Sequence, residues 1–428
     1  MDYAGKKTYF IGIGGIGMSA LAQLLAHDGA AVSGSDREAS PVTELLERKG
    51  INVVIGQKAE NVPQGTELSI YSDSVPESNP ERVRARELGI PELSYFQMLG
   101  KVSAGKRTAA VAGTHGKTTT TGMLAKILID AGASPTAIIG SIVKDFGSNY
   151  VAGDSDLFVV EACEYKDHLL ELSPEILVIT NLEWDHTDYF PSLEALQETF
   201  KKAIARVPES GAIVTDPSNP NIAPLLVSAK ARIVDYTREP VYDLRLPGDF
   251  NIMNARAAAA AARVVLPESG NTTIYGSVSA FEGTWRRFEY KGKTVQGAEV
   301  YDDYAHHPTA VSATLKALRA KAKGKIYVAF HPHLYSRTRD LLDEFATAFA
   351  DADTVFIAPI YAAREVDDGS ISSEILAERI RATGVEAMAL SSFDAIEHAL
   401  AAAGAGDAIM TMGAGDIYRV ADTLVAHS

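Results

Sequence analysis

The sequence has a single cysteine, Cys163, among its 428 residues. One cysteine excludes an internal disulfide framework and is typical of a reducing compartment, where we expect this thiol to be a small buried group rather than a reactive one. No run of about 18 apolar residues is present, and the glycine-rich stretch after Lys7 does not resemble a signal peptide. These absences predict a cytoplasmic protein without a membrane partner.

An excess of positive charge is also absent, because the formal net charge is −15. Such a charge argues against broad binding to nucleic acids or anionic membranes. It does not exclude small anionic substrates, since a glycine turn and a few lysines can make the local electrostatic potential positive. With 46% hydrophobic and 22% charged residues, the chain has the composition of a globular protein. Its length predicts two to four domains, of which three is the favoured number.

A glycine turn near the start is the first feature that indicates a ligand. Residues 12–17 read Gly-Ile-Gly-Gly-Ile-Gly and fit GxGxxG, between a predicted strand and a predicted helix. Asp36 ends the next predicted strand, about twenty residues on, where a dinucleotide fold binds a ribose hydroxyl. The pattern predicts a Rossmann-like nucleotide-binding unit, which continues through a polar turn at Ser72. Glycines that only allow close packing of helix and strand are the alternative.

A second glycine turn, residues 113–118, reads Gly-Thr-His-Gly-Lys-Thr. It follows an apolar strand and opens a helix rich in hydroxyl groups, an arrangement whose backbone N–H groups bind phosphate. Lys117 would reach the β- and γ-phosphates, and the Thr118 hydroxyl would bind magnesium. The usual GxxxxGK[ST] spacing is not met, because Val111 stands at the first glycine position. The alternative is a helix start without a ligand.

Two further polar groups follow predicted buried strands in the middle of the chain. Glu161 ends a strand over residues 157–161, and His186 follows a strand over residues 175–181. Ligands collect at the carboxyl ends of parallel strands, so we expect both side chains on the rim that carries Lys117. They are candidate magnesium ligands, although a purely structural histidine remains the alternative.

The last third of the chain repeats this arrangement, because each predicted strand ends in a polar cluster. Tyr304 and His306 follow one strand, and His333 and Arg337 follow another. Two histidine clusters are compatible with zinc, but their spacing and the lack of cysteine do not favour it. Before them, Arg287 and its neighbour are adjacent arginines suited to a phosphate.

Five motifs occur in order, and together they resemble the Mur ligases. They are Gly12-x-Gly14-Gly-Ile-Gly17-Met-Ser, Gly113-Thr-His-Gly-Lys-Thr-Thr-Thr-Thr121, Asn181-Leu-Glu-Trp-Asp-His186, Asp303-Tyr-Ala-His-His-Pro308 and His333-x-x-Ser-Arg337-Thr. The resemblance spans nearly the whole chain and implies an α/β protein of three domains. These are a Rossmann-like domain that binds a UDP-sugar (residues 1–105), a central P-loop ATPase domain with a mostly parallel sheet (106–287) and a Rossmann-like C-terminal ligase domain (288–428).

The resemblance also implies an activity. The family's alanine-adding branch uses ATP and Mg²⁺ to join L-alanine to the lactyl carboxylate of UDP-N-acetylmuramate through an acyl phosphate, in peptidoglycan precursor synthesis. The implied partners are these two substrates and no nucleic acid, with the chain a monomer or a homodimer. A recycling ligase that adds a preformed tripeptide to the same sugar nucleotide and a non-catalytic UDP-sugar sensor remain alternatives. A NAD dehydrogenase would explain only the first glycine turn.

The resemblance assigns a role to each matching residue. The implied catalytic residues are Lys117, Glu161, His186, His333 and Arg337. The implied ATP-binding residues are Gly113, Thr114, His115, Gly116, Lys117, Thr118, Thr119, Asn251, Asn254, Arg287, Asp303 and His306. The implied residues for the other substrates are Gly14, Gly15, Ile16, Gly17, Asp36, Ser72, Tyr304, His306 and Arg337. The implied magnesium ligands are Thr118, Glu161 and His186.

The chain departs from the family pattern at four places. Phe250 replaces a histidine near Asn251, and Cys163 replaces an aspartate between Glu161 and the next acid. Leu334 stands where many members have an arginine, which removes one possible clamp for an amino-acid carboxylate. Tyr95-Phe-Gln97-Met replaces the common Arg-Ala-Glu-Met. These changes are compatible with a ligase, and they leave open whether the amino-acid substrate is alanine, serine or glycine.

Overall fold

The computed structural model describes residues 3–268 and 270–426. Within them the chain forms three sheets of five, seven and six strands, with α-helices between many of the successive strands. All strand pairs are parallel except one at an edge of the second sheet and one at an edge of the third. The predicted α/β class is confirmed, whereas the domain limits after residues 105 and 287 stay predictions.

The first sheet is formed near the start of the chain. Its elements are β1 (Lys7–Ile11), α1 (Ile16–His27), β2 (Ala31–Asp36), α2 (Pro41–Arg48), β3 (Asn52–Ile55), β4 (Leu68–Tyr71), α3 (Pro80–Glu87), β5 (Glu92–Ser94) and α4 (Tyr95–Ser103). The strand order is β3-β2-β1-β4-β5. Because the winding reverses between β1 and β4, the loops that follow these strands meet at the carboxyl edge, where α/β sheets bind ligands.

The second sheet follows directly. Its elements are β6 (Arg107–Ala112), α5 (Lys117–Asp130), β7 (Thr136–Val143), β8 (Ser148–Val151), β9 (Leu157–Glu161), β10 (Ile176–Ile179), α6 (Leu193–Arg206), β11 (Ala212–Thr215), β12 (Arg232–Asp235), α7 (Asp249–Val265) and α8 (Asn271–Ala280). The order β12-β11-β10-β6-β9-β7-β8 puts β6 between β9 and β10. Strand β10 is Ile-Leu-Val-Ile and wholly buried, as expected for a parallel strand covered on both faces.

The third sheet occupies the last part of the chain. Its elements are β13 (Glu289–Lys293), β14 (Glu299–Asp303), α9 (Pro308–Arg319), β15 (Ile326–Phe330), α10 (Tyr335–Asp340), α11 (Leu342–Ala348), β16 (Thr354–Ile357), α12 (Ser373–Arg381), β17 (Glu386–Ala389), α13 (Phe393–Leu400), β18 (Ala408–Met412) and α14 (Tyr418–Ala426). The order is β13-β14-β18-β15-β16-β17. Its core includes Phe330, whose ring lies 5.5 Å from that of Phe345 and 5.2 Å from that of Phe349.

The chain divides into two compact units. In the first unit the chain runs to Leu182 and also includes Leu196–Tyr242 and Asn254–Glu282. The second unit consists of Glu183–Ala195, Asp243–Met253 and the chain from Gly283 onward. The first two sheets therefore belong to one unit and the third sheet to the other. None of the helices in residues 3–268 and 270–426 has both the length and the hydropathy of a transmembrane span.

Candidate active site

The first glycine turn is closed by hydrogen bonds from its own sheet. Gly12 has a φ of 81°, and the N–H groups of Gly12 and Ile13 both donate to the Ser35 carbonyl at 2.9 Å. The Gly14 N–H donates to Asp36 Oδ2 at 2.8 Å. A Cβ built on Gly14 would lie 2.9 Å from that same oxygen, so a larger residue would have to displace the Asp36 carboxylate. Asp36, expected near the nucleoside, therefore also supports the turn.

The second glycine turn adopts a fixed conformation in the first unit. Gly113 and Gly116 have φ values of 126° and 82°, a region that favours glycine. The His115 N–H donates to Asn181 Oδ1 at 2.9 Å, and the Thr180 hydroxyl donates to the His115 carbonyl at 2.6 Å. Both partners follow β10, the neighbour of β6. The loop is therefore preformed by its own sheet, as a phosphate-binding turn requires.

Lys117 begins α5, and its ammonium group lies over the loop. It donates to the Gly113 carbonyl at 2.5 Å, to the Thr114 carbonyl at 3.2 Å and to Glu164 Oε1 at 3.1 Å. Burial lowers the pKa of Lys117, but the Glu164 carboxylate outweighs this effect, and the net pKa is raised. Glu164 is 1% exposed and was not predicted as a site residue, although it is the second acid of the run that starts at Glu161. Lys117 therefore stays charged, and Glu164 fixes its position.

Glu161 and Thr118 lie in direct contact in the first unit. The Thr118 hydroxyl donates to Glu161 Oε1 at 3.0 Å, and the Gly140 N–H donates to Glu161 Oε2 at 2.8 Å. A carboxylate and a hydroxyl beside a phosphate-binding turn are the hard oxygen ligands that magnesium prefers, so these two residues fit that ion. His186 belongs to the second unit, and the three-residue ligand set stays a prediction.

A cavity of about 270 Å³ joins the two predicted binding regions of the first unit. Four of the predicted substrate residues line it together with Glu161. Its lining is Gly15, Ile16, Gly17, Met18, Ser72, Asp73, Tyr95, Phe96, Ile138, Ile139, Gly140, Glu161 and Cys163. The first glycine turn and Glu161, the acid beside the second glycine turn, therefore line the same cavity. Tyr95 and Phe96 were noted in the sequence only as departures from the family pattern.

The two predicted adenine-binding asparagines lie in separate units. Asn254 is in the first unit and touches the second glycine turn, because a Cβ added to Gly116 would overlap Asn254 Oδ1. Asn251 is buried in the second unit, where its side-chain amide donates to the Pro247 carbonyl at 2.7 Å. Asn254 thus lies beside the second glycine turn, and a role in adenine binding stays a prediction for both asparagines.

Of the adjacent arginines, Arg286 is buried within the second unit. Its Nε donates to Asp302 at 2.8 Å, and its terminal nitrogens donate to the carbonyls of Gly415 and Gly413 at 2.8 and 2.6 Å. These contacts join β14 to the loop after β18. Arg287, the predicted ligand-binding residue, is half-buried, and its guanidinium lies 4.9 Å from the ring centre of Tyr304. The structure therefore gives the two neighbours different environments.

Asp303 ends β14, and backbone groups contact its carboxylate. The Phe288 N–H donates to Oδ2 at 2.6 Å, and the Ala305 N–H donates to Oδ1 at 2.7 Å. Burial raises the pKa of Asp303 to about 6, although Arg287 and these N–H groups oppose the shift. Asp303 therefore shapes the loop that carries the predicted site residues Tyr304 and His306.

Arg337 and His333 form the centre of the polar cluster in the second unit. Arg337 Nε donates to Asp185 Oδ1 at 2.9 Å, and Arg337 Nη1 donates to the His333 carbonyl at 3.2 Å. The ring of His306 lies 6.1 Å from that of His333. Burial, followed by the charge of Arg337, lowers the pKa of His333 to about 3, so the imidazole is neutral. The predicted site residues Arg337, His333 and His306 thus lie close together in the second unit.

Asp185 is the unpredicted member of this cluster. Burial opposes its charge, but Arg337 and three nearby histidines outweigh burial and hold its pKa well below the ordinary value. The His186 N–H also donates to Asp185 Oδ1, at 2.6 Å, and His186 has a φ of 54°. A non-glycine residue at positive φ is uncommon and persists where its surroundings hold it. Asp185 therefore fixes the backbone at the predicted metal-binding histidine.

Comparisons with known proteins define the class of this fold and site. Three family models match in order: "Mur ligase family, catalytic domain" at residues 7–107, "Mur ligase middle domain" at 111–241 and "Mur ligase, glutamate ligase domain" at 286–415. The chain belongs to the Mur ligase family and is an ATP-dependent ligase. The predicted family and enzyme class are confirmed.

Individual relatives carry more specific names. The UDP-N-acetylmuramate–L-alanine ligase of Acetivibrio thermocellus is 40% identical, over 97% of this chain and 95% of the relative. The ligase of the same name from Clostridium novyi is 38% identical, over 97% and 96%. A crystal structure of UDP-N-acetylmuramate-alanine ligase from Thermotoga maritima has a TM-score of 0.80 and 27% identity, covering 98% of both chains.

Proposed function

We propose that this enzyme joins L-alanine to the lactyl carboxylate of UDP-N-acetylmuramate, with ATP as the phosphoryl donor. The observation that carries the proposal is the cavity shared by the first glycine turn and Glu161. A sugar nucleotide whose diphosphate lies on that turn would present its sugar to the acid beside the ATP-binding loop. The names of the relatives at 37–40% identity support this choice of substrates.

The first step activates the carboxylate. A lactyl oxygen attacks the γ-phosphorus of ATP, the bond from that phosphorus to the β,γ-bridging oxygen breaks, and ADP leaves with the electron pair. The products are an acyl phosphate and ADP. Both reactants are anionic, so catalysis consists mainly of positioning and charge neutralisation. Lys117 supplies a fixed positive charge, and no covalent nucleophile is needed.

We assign magnesium binding to Thr118 and Glu161, with His186 as a third group. The ion would neutralise charge on the β- and γ-phosphates when bound. The oxygen atoms of Thr118 and Glu161 support this assignment, because they lie at the start of α5 beside the glycine turn. Thr119, buried in the same helix turn, completes the ATP-binding set of this unit.

The second step forms the amide bond. The neutral amine of L-alanine attacks the acyl carbon, and inorganic phosphate leaves with the electron pair of the broken C–O bond and takes up the proton that the amine loses. We assign orientation of the amino acid to Arg337, His333 and Tyr304. A guanidinium is suited to a carboxylate because it presents parallel N–H donors. We assign further contacts with ATP to Arg287, Asp303 and His306.

We assign the enzyme to peptidoglycan precursor synthesis in the cytoplasm, and we expect a monomer or a homodimer. The recycling alternative would use the same sugar nucleotide and a preformed tripeptide. A structure of a murein peptide ligase from Psychrobacter arcticus, with a TM-score of 0.77 and 24% identity, shares the fold with this chain. The identities of 37–40% with alanine ligases favour the alanine-adding activity.

The test measures ATP-dependent release of phosphate with UDP-N-acetylmuramate and one acceptor at a time. We expect L-alanine to give the highest kcat/KM, followed by L-serine and glycine, with little turnover of the tripeptide. Fastest turnover with the tripeptide would replace the proposal by the recycling activity. No phosphate release with any acceptor would favour a sensor. Reactions that omit the sugar nucleotide give the background ATPase rate.

A further inference from the structure

Tyr95 is held in the shared cavity by the start of α4. Ser94 caps this helix, because its hydroxyl accepts the Gln97 N–H at 3.2 Å while Gln97 Oε1 accepts the Ser94 N–H at 3.0 Å. Such a capping box defines the first turn of a helix. The Tyr95 ring also packs edge-on against Phe96, with ring centres 4.7 Å apart. The chain itself therefore sets the position of this phenol.

The hydroxyl end of Tyr95 reaches the first glycine turn. A Cβ built on Gly17 would lie 2.7 Å from the Tyr95 hydroxyl oxygen. Any larger residue at position 17 would therefore displace the phenol. Glu161 lines the same cavity as these two residues. The hydroxyl thus lies in the volume between the proposed diphosphate site and the proposed phosphoryl-transfer site.

The surroundings of Tyr95 keep its hydroxyl protonated. Burial raises the pKa of the phenol, and the negative charges of Glu161 and Asp73 raise it further. In the part of the chain that the structure describes, this hydroxyl makes no hydrogen bond. A protonated phenol without an acceptor is a donor ready for an anionic group of a ligand.

We propose that the Tyr95 hydroxyl donates a hydrogen bond to the reacting carboxylate of the UDP-linked sugar acid and so selects a sugar nucleotide that bears one. This inference rests on the proposed function, which brings that carboxylate into the cavity. A carboxylate beside Glu161 is repelled, and a neutral donor offsets part of this cost. Tyr95 keeps its proton through phosphoryl transfer, because the carboxylate oxygen bonds to phosphorus and the electron pair leaves with ADP.

The test compares two ligands that differ in the lactyl group. Calorimetric titration without ATP measures the binding of UDP-N-acetylmuramate and of UDP-N-acetylglucosamine, which lacks the carboxylate, to the full-length wild type and to Tyr95→Phe. We expect the variant to bind UDP-N-acetylmuramate about 10- to 100-fold more weakly, the effect of one hydrogen bond to a charged group. Binding of UDP-N-acetylglucosamine should change less than about twofold.

The matched control is Tyr150→Phe, which removes the hydroxyl of a buried tyrosine on β8, outside the cavity lining. It should bind both ligands like the wild type.

An equal loss of affinity for both ligands in Tyr95→Phe would show a structural role and overturn the proposal. No loss of affinity for either ligand would overturn it as well. A wild type that releases phosphate from ATP but does not prefer UDP-N-acetylmuramate would also overturn it. A wild type that neither releases phosphate nor binds UDP-N-acetylmuramate would overturn the proposed function as well.

Discussion

Asp185 and Arg337 form an ion pair in which the two side chains are 6% and 2% exposed and the Nε–Oδ1 distance is 2.9 Å. The pair joins residues 152 positions apart and links the start of α10 to the segment Glu183–Ala195 within the second unit. It fixes the guanidinium that we assign to the amino acid and the backbone next to His186.

Removing Arg337 should destabilise the second unit strongly. Arg337→Met leaves the Asp185 carboxylate buried without its partner, which costs about 3–5 kcal/mol. The free energy of unfolding of this unit, measured in urea, should fall by that amount. Adding Asp185→Asn to Arg337→Met removes the uncompensated charge and should restore part of the loss. If Arg337→Met alone lowers the free energy of unfolding by less than about 1 kcal/mol, the two residues are not strongly coupled.

Lys117→Ala should strongly slow ATP turnover, and because it removes the ion pair with the buried Glu164 carboxylate it should also lower the free energy of unfolding of the first unit. The variant removes a charge that the loop carbonyls and Glu164 hold over the phosphate site, and the loss of one such donor lowers kcat by about 10²–10³. Phosphate release measures the effect, and binding of UDP-N-acetylmuramate should be retained. Lys126→Ala, which removes another lysine of α5 whose ammonium pairs with Asp130 rather than with the loop, serves as the control. Near-normal phosphate release by Lys117→Ala would contradict the assignment.

Gly116→Ala should lower the affinity for ATP and have a smaller effect on the free energy of unfolding. A methyl group there overlaps Asn254 Oδ1, and the left-handed φ of 82° adds about 1–2 kcal/mol of strain. The expected result is a rise of about tenfold or more in the KM for ATP, because the loop N–H groups must shift. Gly132→Ala is a matched control, since its φ is 77° and no atom lies within 4 Å of the added Cβ. Equal effects of both variants on the KM would show that strain alone is responsible.

His331 should make the second unit sensitive to acid. Burial lowers the pKa of His331 from 6.5 to about 4. Between these pH values the unfolded chain binds more protons, so stability falls as the pH falls, by up to about 3 kcal/mol. Urea unfolding at pH 7 and pH 4.5 should show a smaller decline for His331→Gln than for the wild type.

Asp303 should affect the pH dependence of stability in the direction opposite to His331. The pKa of Asp303 in the folded protein, about 6, lies above its ordinary value. Its contribution to the stability of the second unit therefore increases as the pH falls from 6 toward 4. Asp303→Asn should therefore enlarge the acid-induced decline that His331→Gln reduces. Parallel pH profiles for the wild type and both variants would contradict these shifts.

Local signals predicted much of the fold. Strands such as β9 and β10 are continuous apolar runs, and the two glycine turns need backbone conformations that other residues rarely adopt. The antiparallel pair β7 and β8 was not predicted. Gly140 and Ser141 interrupt the apolar pattern of β7, and its pairing with β8 depends on packing rather than on local preference.

The sequence alone determined the α/β class and the positions of the two glycine turns, and it predicted most of the candidate site residues, because each depends on residue type and short-range spacing. Only the tertiary structure showed Glu164 against Lys117, Asp185 against Arg337 and Tyr95 against Gly17. The partners in these pairs are far apart along the chain. They meet because the sheets bring non-consecutive strands side by side, and no local pattern encodes that order.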